Sequence, residues 1–169
     1  MVAIFNNYHN KDYDKQYVID YIKRYILLKP AGLADNELDT FFAQHVALEC
    51  AYHLRLTDLY SQIIPFIEDT LNFHNQVSAA RALVSYNTTE CKQKLLEVVS
   101  DTTTGNFVKV ICIWTLSDFK PTELKNRLTK IEETASTKEN GFGGNLMDPR
   151  VCTHFPDVKD ALGELIKKL

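Results

Sequence analysis

Three Thr-acid pairs, Thr57-Asp58, Thr89-Glu90 and Thr122-Glu123, recur 32 and 33 residues apart. A period of about 30 to 50 residues belongs to few architectures, chiefly arrays in which each unit buries its apolar face only against the next. Each Thr is placed to cap the start of a helix, with the following acid at the positive end of the helix dipole. The correspondence continues downstream. Shifted by 32, Ile63, Ile64, Phe66 and Ile67 fall on Leu95, Leu96, Val98 and Val99, and Asp69 falls on Asp101. A second helix is expected after each, Gln76 to Tyr86 and Phe107 to Leu116, with Ala80 on Cys112, Leu83 on Thr115 and Val84 on Leu116. Two helices per period describe an all-α chain built as an α-solenoid.

Two helices precede the repeats. The first is expected over roughly 12–28, where Tyr13, Tyr17, Tyr21 and Tyr25 recur every fourth residue beside Val18, Ile22 and Ile26. Such a stripe is read as the buried face of an amphipathic helix. Lys29-Pro30-Ala31-Gly32 ends it. The second is expected over 36–55, capped by Asp35 or Asn36. Its apolar residues, Leu38, Phe41, Phe42, Val46, Leu48 and Leu54 among them, cover most of the circumference, so this helix is expected to be central.

Particular residues here resemble a HEAT-type repeat. They are the proline and acids of Ile63-Ile64-Pro65-Phe66-Ile67-Glu68-Asp69, and the Val108-Lys109 start followed by Cys112 and Leu116. Val158-Lys159 followed by Leu162 looks like a third start, whereas Val77-Ser78 lacks the basic residue that usually follows the valine. The resemblance spans 57–135 and, more thinly, 157–169. It implies a short right-handed α-solenoid of about eight helices in one domain, residues 1–169. That domain would comprise an N-terminal pair (12–55), unit one (57–87), unit two (89–117) and unit three (122–169). Trp114 is expected to be a buried packing residue. Unit three is interrupted by a loop at 136–156, with Gly141-Phe142-Gly143-Gly144-Asn145, Leu146 and Met147. A loop this long and this apolar is expected to fold back on a face of the array.

Composition excludes some classes. In 169 residues, Lys plus Arg is 19 against 22 for Asp plus Glu, a net charge of −3, which does not suit a general nucleic-acid binder. The deficit lies in 58–105, where Asp58, Glu68, Asp69, Glu90, Glu97 and Asp101 face Arg81, Lys92 and Lys94. No apolar run approaches the ~20 residues of a membrane helix. Residues Met1 to Asn7 do not read as a secretory signal, and Cys50, Cys91, Cys112 and Cys152 form no C-x-x-C pair. A cytoplasmic protein with reduced structural thiols is expected.

Four constellations bear on chemistry. His45, Glu49 and His53 stand four apart, on one row of the second helix. Zinc and iron sites use His and carboxylate at this spacing, so the row is the candidate metal site. The ordinary reading of such a row is a polar stripe facing solvent or a neighbouring helix, and a partner-binding row is a further alternative. Gly141 to Asn145 lacks the Lys-Ser/Thr of a phosphate loop and does not follow a strand. Cys152 and His154 are two apart in a loop, with nothing to orient them as nucleophile and base. Lys120, Lys125, Arg127 and Lys130 alternate with Glu123, Glu132 and Glu133, the pattern of an ion-paired solvated face.

No cofactor is implied, and no nucleophile with its base is visible. The expectation is a non-enzymatic protein-binding module. In size and acidity it resembles bacterial immunity proteins, inhibitors that neutralise a toxic effector domain, so a basic protein partner is expected. The expected partner face is Asn75, Ser78, Ala82, Lys109, Ile113 and Ser117, exposed on second helices, flanked by Phe142, Met147 and Arg150 of the loop. The alternatives are a metal-binding protein or enzyme using His45, Glu49 and His53, and a HEAT-like nucleic-acid binding or repair protein.

Overall fold

A computed structural model describes residues 14–138 and 155–169. Among them the chain forms eight α-helices and no strand. They are α1 (Lys15–Tyr21), α2 (Leu38–His53), α3 (Tyr60–Glu68), α4 (Phe73–Ala82), α5 (Thr89–Ser100), α6 (Asn106–Phe119), α7 (Lys125–Thr134) and α8 (Val158–Lys168). A π-helical turn, Ile22–Ile26, extends α1, and short 3-10 turns sit at Leu83–Ser85 and Thr122–Leu124. None of the described helices is long and apolar enough to cross a membrane. The expected loop packing of 139–154, and Cys152 and His154 with it, lies outside the described residues.

The chain divides into two compact units, Met1–Tyr86 and Asn87–Leu169. In the first, α2 packs on α4, α3 packs on α4, and the π turn packs on α2. In the second, α6 packs on both α5 and α8, and α7 packs on α8. At the 32-residue shift burial agrees at some positions and not at others: Ile64 and Val84 are half-buried where Leu96 and Leu116 are fully buried. Ile63, Phe66 and Ile67 are buried in one unit, as are Leu95, Val98 and Val99 in the other, and Ala80 and Cys112 are both fully enclosed. Truncating such a side chain, for example Phe66→Ala, costs about 3–5 kcal/mol through lost transfer energy and the cavity left behind.

The helix starts do not follow the Thr-acid pairs. Thr88, not Thr89, caps α5, its hydroxyl accepting from Cys91 N at 3.1 Å. Neither Thr57 nor Thr122 caps a helix: α3 follows Leu59, and Thr122 opens a 3-10 turn ahead of α7. At α3 the Tyr86 hydroxyl accepts from Leu59 N at 3.0 Å, so a distant side chain replaces the local cap. Neither Asp35 nor Asn36 caps α2, which starts after Glu37 without a side-chain cap. Glu37 instead accepts from Gly32 N at 2.9 Å. At α8 the expected start is present: Asp157 caps it by accepting from Asp160 N at 2.8 Å.

The described members of the tyrosine stripe are not core, and Tyr13 lies outside the described residues. Tyr17, Tyr21 and Tyr25 are 66%, 39% and 61% exposed, while Val18, Ile19, Ile22 and Leu27 are buried. Two apolar rows lie one residue apart on this helix, and only one can face inward. The aliphatic row brings no polar atom into the core, whereas each buried tyrosine hydroxyl would need a partner. Trp114 is half-buried rather than enclosed. It stands edge-on to Phe155 at 5.4 Å, and Phe155 stacks on Phe107 at 4.5 Å.

Candidate functional site: a buried polar cluster

The polar row of α2 faces α4. From it His45, Glu49 and His53 project toward a helix that carries Asn75, Ser78 and Arg81, within the first unit. The Arg81 guanidinium donates from Nη1 to Glu49 Oε2 at 2.9 Å and Oε1 at 3.1 Å. The Ser78 hydroxyl donates to Glu49 Oε1 at 2.6 Å and lies 3.2 Å from His45 Nδ1. His53 Nε2 stands 3.7 Å from Glu49 Oε2. The Arg81 guanidinium also covers the Tyr52 ring, 4.3 Å from its centroid, a cation–π contact.

Glu49, Ser78 and Arg81 are all buried, and Glu49 takes its hydrogen bonds from Arg81 and Ser78. His45 is held below the ordinary histidine range. Desolvation is the main cause, Glu49 opposes it, and His74 and Arg81 reinforce it. The His45 and His74 rings meet edge to face, 6.3 Å apart.

This geometry does not fit the metal reading. Both Glu49 oxygens are engaged by Arg81, a fixed positive charge where a metal ion would sit. Among the described residues no group of three His, Cys, Asp or Glu side chains is arranged to hold an ion. Nor does it form a nucleophilic triad. The acid binds the serine instead of orienting the histidine, and Ser78 is 1% exposed. His45 and Glu49 lie against the neighbouring helix, as the polar-stripe reading expects, while His53 is exposed.

The expected partner face is corrected. Asn75, Ser78, Ala82 and Ile113 are buried, not exposed. The helices carrying them are covered on more sides than a single stripe would need, because α4 touches both α2 and α3, and α6 touches both α5 and α8. Lys109 and Ser117 are half-buried. Phe142, Met147 and Arg150 lie outside the described residues. Ser78 is the point at which two separate expectations meet, since it bonds the histidine–glutamate row. Among the described residues, the Asn75 amide has no hydrogen-bond partner on either its nitrogen or its oxygen. In the second unit, Lys92 pairs with Glu123 at 2.7 Å and Arg127 donates to Gln93 at 2.5 Å, which occupies part of the basic cluster's neighbourhood.

Three further buried amides, Gln44, Asn72 and Gln76, carry no local sequence signal. Gln44 donates to Ile26 O (3.1 Å) and Lys29 O (2.7 Å) and accepts from Ala31 N (2.9 Å). Asn72 donates to Ala31 O at 3.0 Å, and Gln76 to Ile67 O at 2.9 Å. Each satisfies backbone groups left over where the chain leaves a helix. Among the described residues, Tyr17, Tyr25, Leu28, Leu33, Phe42 and Leu71 are large apolar side chains more than half exposed.

No protein-family model, no curated protein and no solved structure matches the chain.

Proposed function

We propose that this chain is a non-enzymatic protein-binding module, most concretely a cytoplasmic inhibitor of the immunity type that covers a basic protein partner. The observation that carries the reading is the exposed aromatic row, Tyr17, Tyr21 and Tyr25, on α1 and its π turn. Tyrosine supplies large, stiff contact area with a polar tip, and it is enriched at the centres of interfaces. Tyr21 and Tyr25 already lean on each other at 5.2 Å, so little side-chain freedom is lost on docking. The exposed acids Asp58 and Glu68 in the same unit supply the charge that would steer a basic partner.

The solenoid belongs to this proposal. The even-numbered helices lie side by side within each unit, α2 against α4 and α6 against α8, as second helices do in stacked helix pairs. Cys50, Cys91 and Cys112 are buried, which suits structural thiols in a reducing compartment.

The test is affinity capture with wild type and with a Tyr17→Lys/Tyr25→Lys variant. The expected result is one stoichiometric partner held by wild type and lost with the variant, at unchanged melting temperature. A partner retained by the variant, or no stoichiometric partner, would overturn the reading.

A further inference from the structure

The second unit holds a cleft of about 470 Å³ between α6, α7 and the start of α8. Lys109 and Lys130 both line it, and none of its described lining residues is acidic. Among the described residues, neither lysine has a carboxylate within ion-pair distance. Asp101, the carboxylate that acts on Lys109 from further away, is engaged by the hydroxyls of Thr103 at 2.7 Å and Thr104 at 2.8 Å. Among the described residues, then, the two ammonium groups of the cleft have no counter-ion.

We propose that this cleft binds a small organic phosphate, with Lys109 and Lys130 holding the phosphoryl group and the apolar wall holding the organic part. Two point charges match a dianion. A carboxylate is better served by the planar fork of an arginine, and among the described residues no arginine lines the cleft. Ser136 supplies a neutral donor: its oxygen accepts from Asn106 Nδ2 and from Lys138 N, both at 3.1 Å, so its O–H is the group left to donate. Asn106 is also the first residue of α6, and Gly105 before it offers no side-chain cap, so the positive end of a 14-residue helix stays available to an anion. Val99, Ile131 and Val158 form the apolar wall. Burial holds the Lys109 ammonium below the usual lysine range, a cost that a bound anion would relieve. The site lies in the other unit from the aromatic row and stands independently of it.

Titration calorimetry with inorganic phosphate and with phenyl phosphate tests this, at ionic strength held constant with sodium chloride. Saturable one-to-one binding of both probes is expected, tighter for phenyl phosphate. Lys130→Gln and Lys109→Gln should each weaken it by about 10-fold or more, the usual worth of a hydrogen bond to a charged group. Lys125→Gln, an exposed lysine of α7 outside the cleft, should leave it unchanged. Melting without ligand shows whether each variant is folded, and Lys130, being exposed, is the one expected to be unaffected. The proposal is overturned by affinities weaker than about 1 mM for both probes. It is equally overturned by unchanged binding in Lys130→Gln, or by an equal loss in Lys125→Gln. Phenyl phosphate binding no tighter than inorganic phosphate overturns the assignment of an organic ligand.

Discussion

Arg81 Nη1 sits 2.9 Å from Glu49 Oε2, and both side chains are more than nine-tenths buried. A charge pair withdrawn from water this far depends on both members. Arg81→Met leaves the carboxylate enclosed without its cation, and a loss of about 3–5 kcal/mol is expected. Glu49→Leu combined with Arg81→Met removes both desolvation costs and should be more stable than Arg81→Met alone. Urea unfolding of the three proteins checks this. A double variant no more stable than the single one would show that the pair does not control this region.

His45 makes stability pH-dependent. Its folded affinity for a proton is below that of the unfolded chain, chiefly through burial. Above the ordinary value of 6.5 the imidazole is neutral in both states and contributes no slope. Below it the unfolded chain takes up the proton first, so stability falls until the pH passes the lowered folded value. His45→Gln should remove this component. Urea midpoints of both proteins, from neutral pH to about 5, give the comparison. A difference between them that stays constant over that window would contradict the assignment.

Gln44 holds the chain leaving the π turn against α2. Gln44→Leu leaves Ala31 N, Ile26 O and Lys29 O without their side-chain partner, and a loss of roughly 2–4 kcal/mol is expected. Gln44→Glu keeps the acceptor for Ala31 N but sets a carboxylate oxygen against two carbonyls, so it should also be destabilising at neutral pH. Hydrogen exchange at Ala31 is the local readout, and it should quicken most in Gln44→Leu.

Asn75 is fully enclosed, with both ends of its amide unpartnered among the described residues. Replacing it with leucine, close to it in shape, removes that desolvation cost. Asn75→Leu is expected to raise stability by about 1 kcal/mol. Thermal unfolding measures it, and a lowered melting temperature would mean that the amide is satisfied in solution.

Helical periodicity was legible where the sequence offered one apolar row and opaque where it offered two. The buried pattern of Ile63, Phe66 and Ile67 and its echo at Leu95, Val98 and Val99 could be read directly. The tyrosine row could not, because i, i+4 spacing identifies a face without saying which way it turns. The caps failed for a related reason. Tyr86 serves the start of α3 from 27 residues away, a distance no local motif encodes.

The candidate site shows the same division. Four-residue spacing put His45, Glu49 and His53 on one row, and backbone geometry alone guarantees that. It could not show that Arg81 and Ser78 of another helix would meet the row and engage Glu49. The sequence by itself determined an all-helical chain, the positions of most helices and the repeated apolar pattern, because these follow from the 3.6-residue turn and from helix-breaking residues. Tertiary structure decided which faces are buried. It set the tyrosines outward, drew Asn75, Ser78, Ala82 and Ile113 inward, and left Lys109 and Lys130 beside one cleft. Burial and pairing depend on neighbours distant in the chain, and a local pattern carries no information about them.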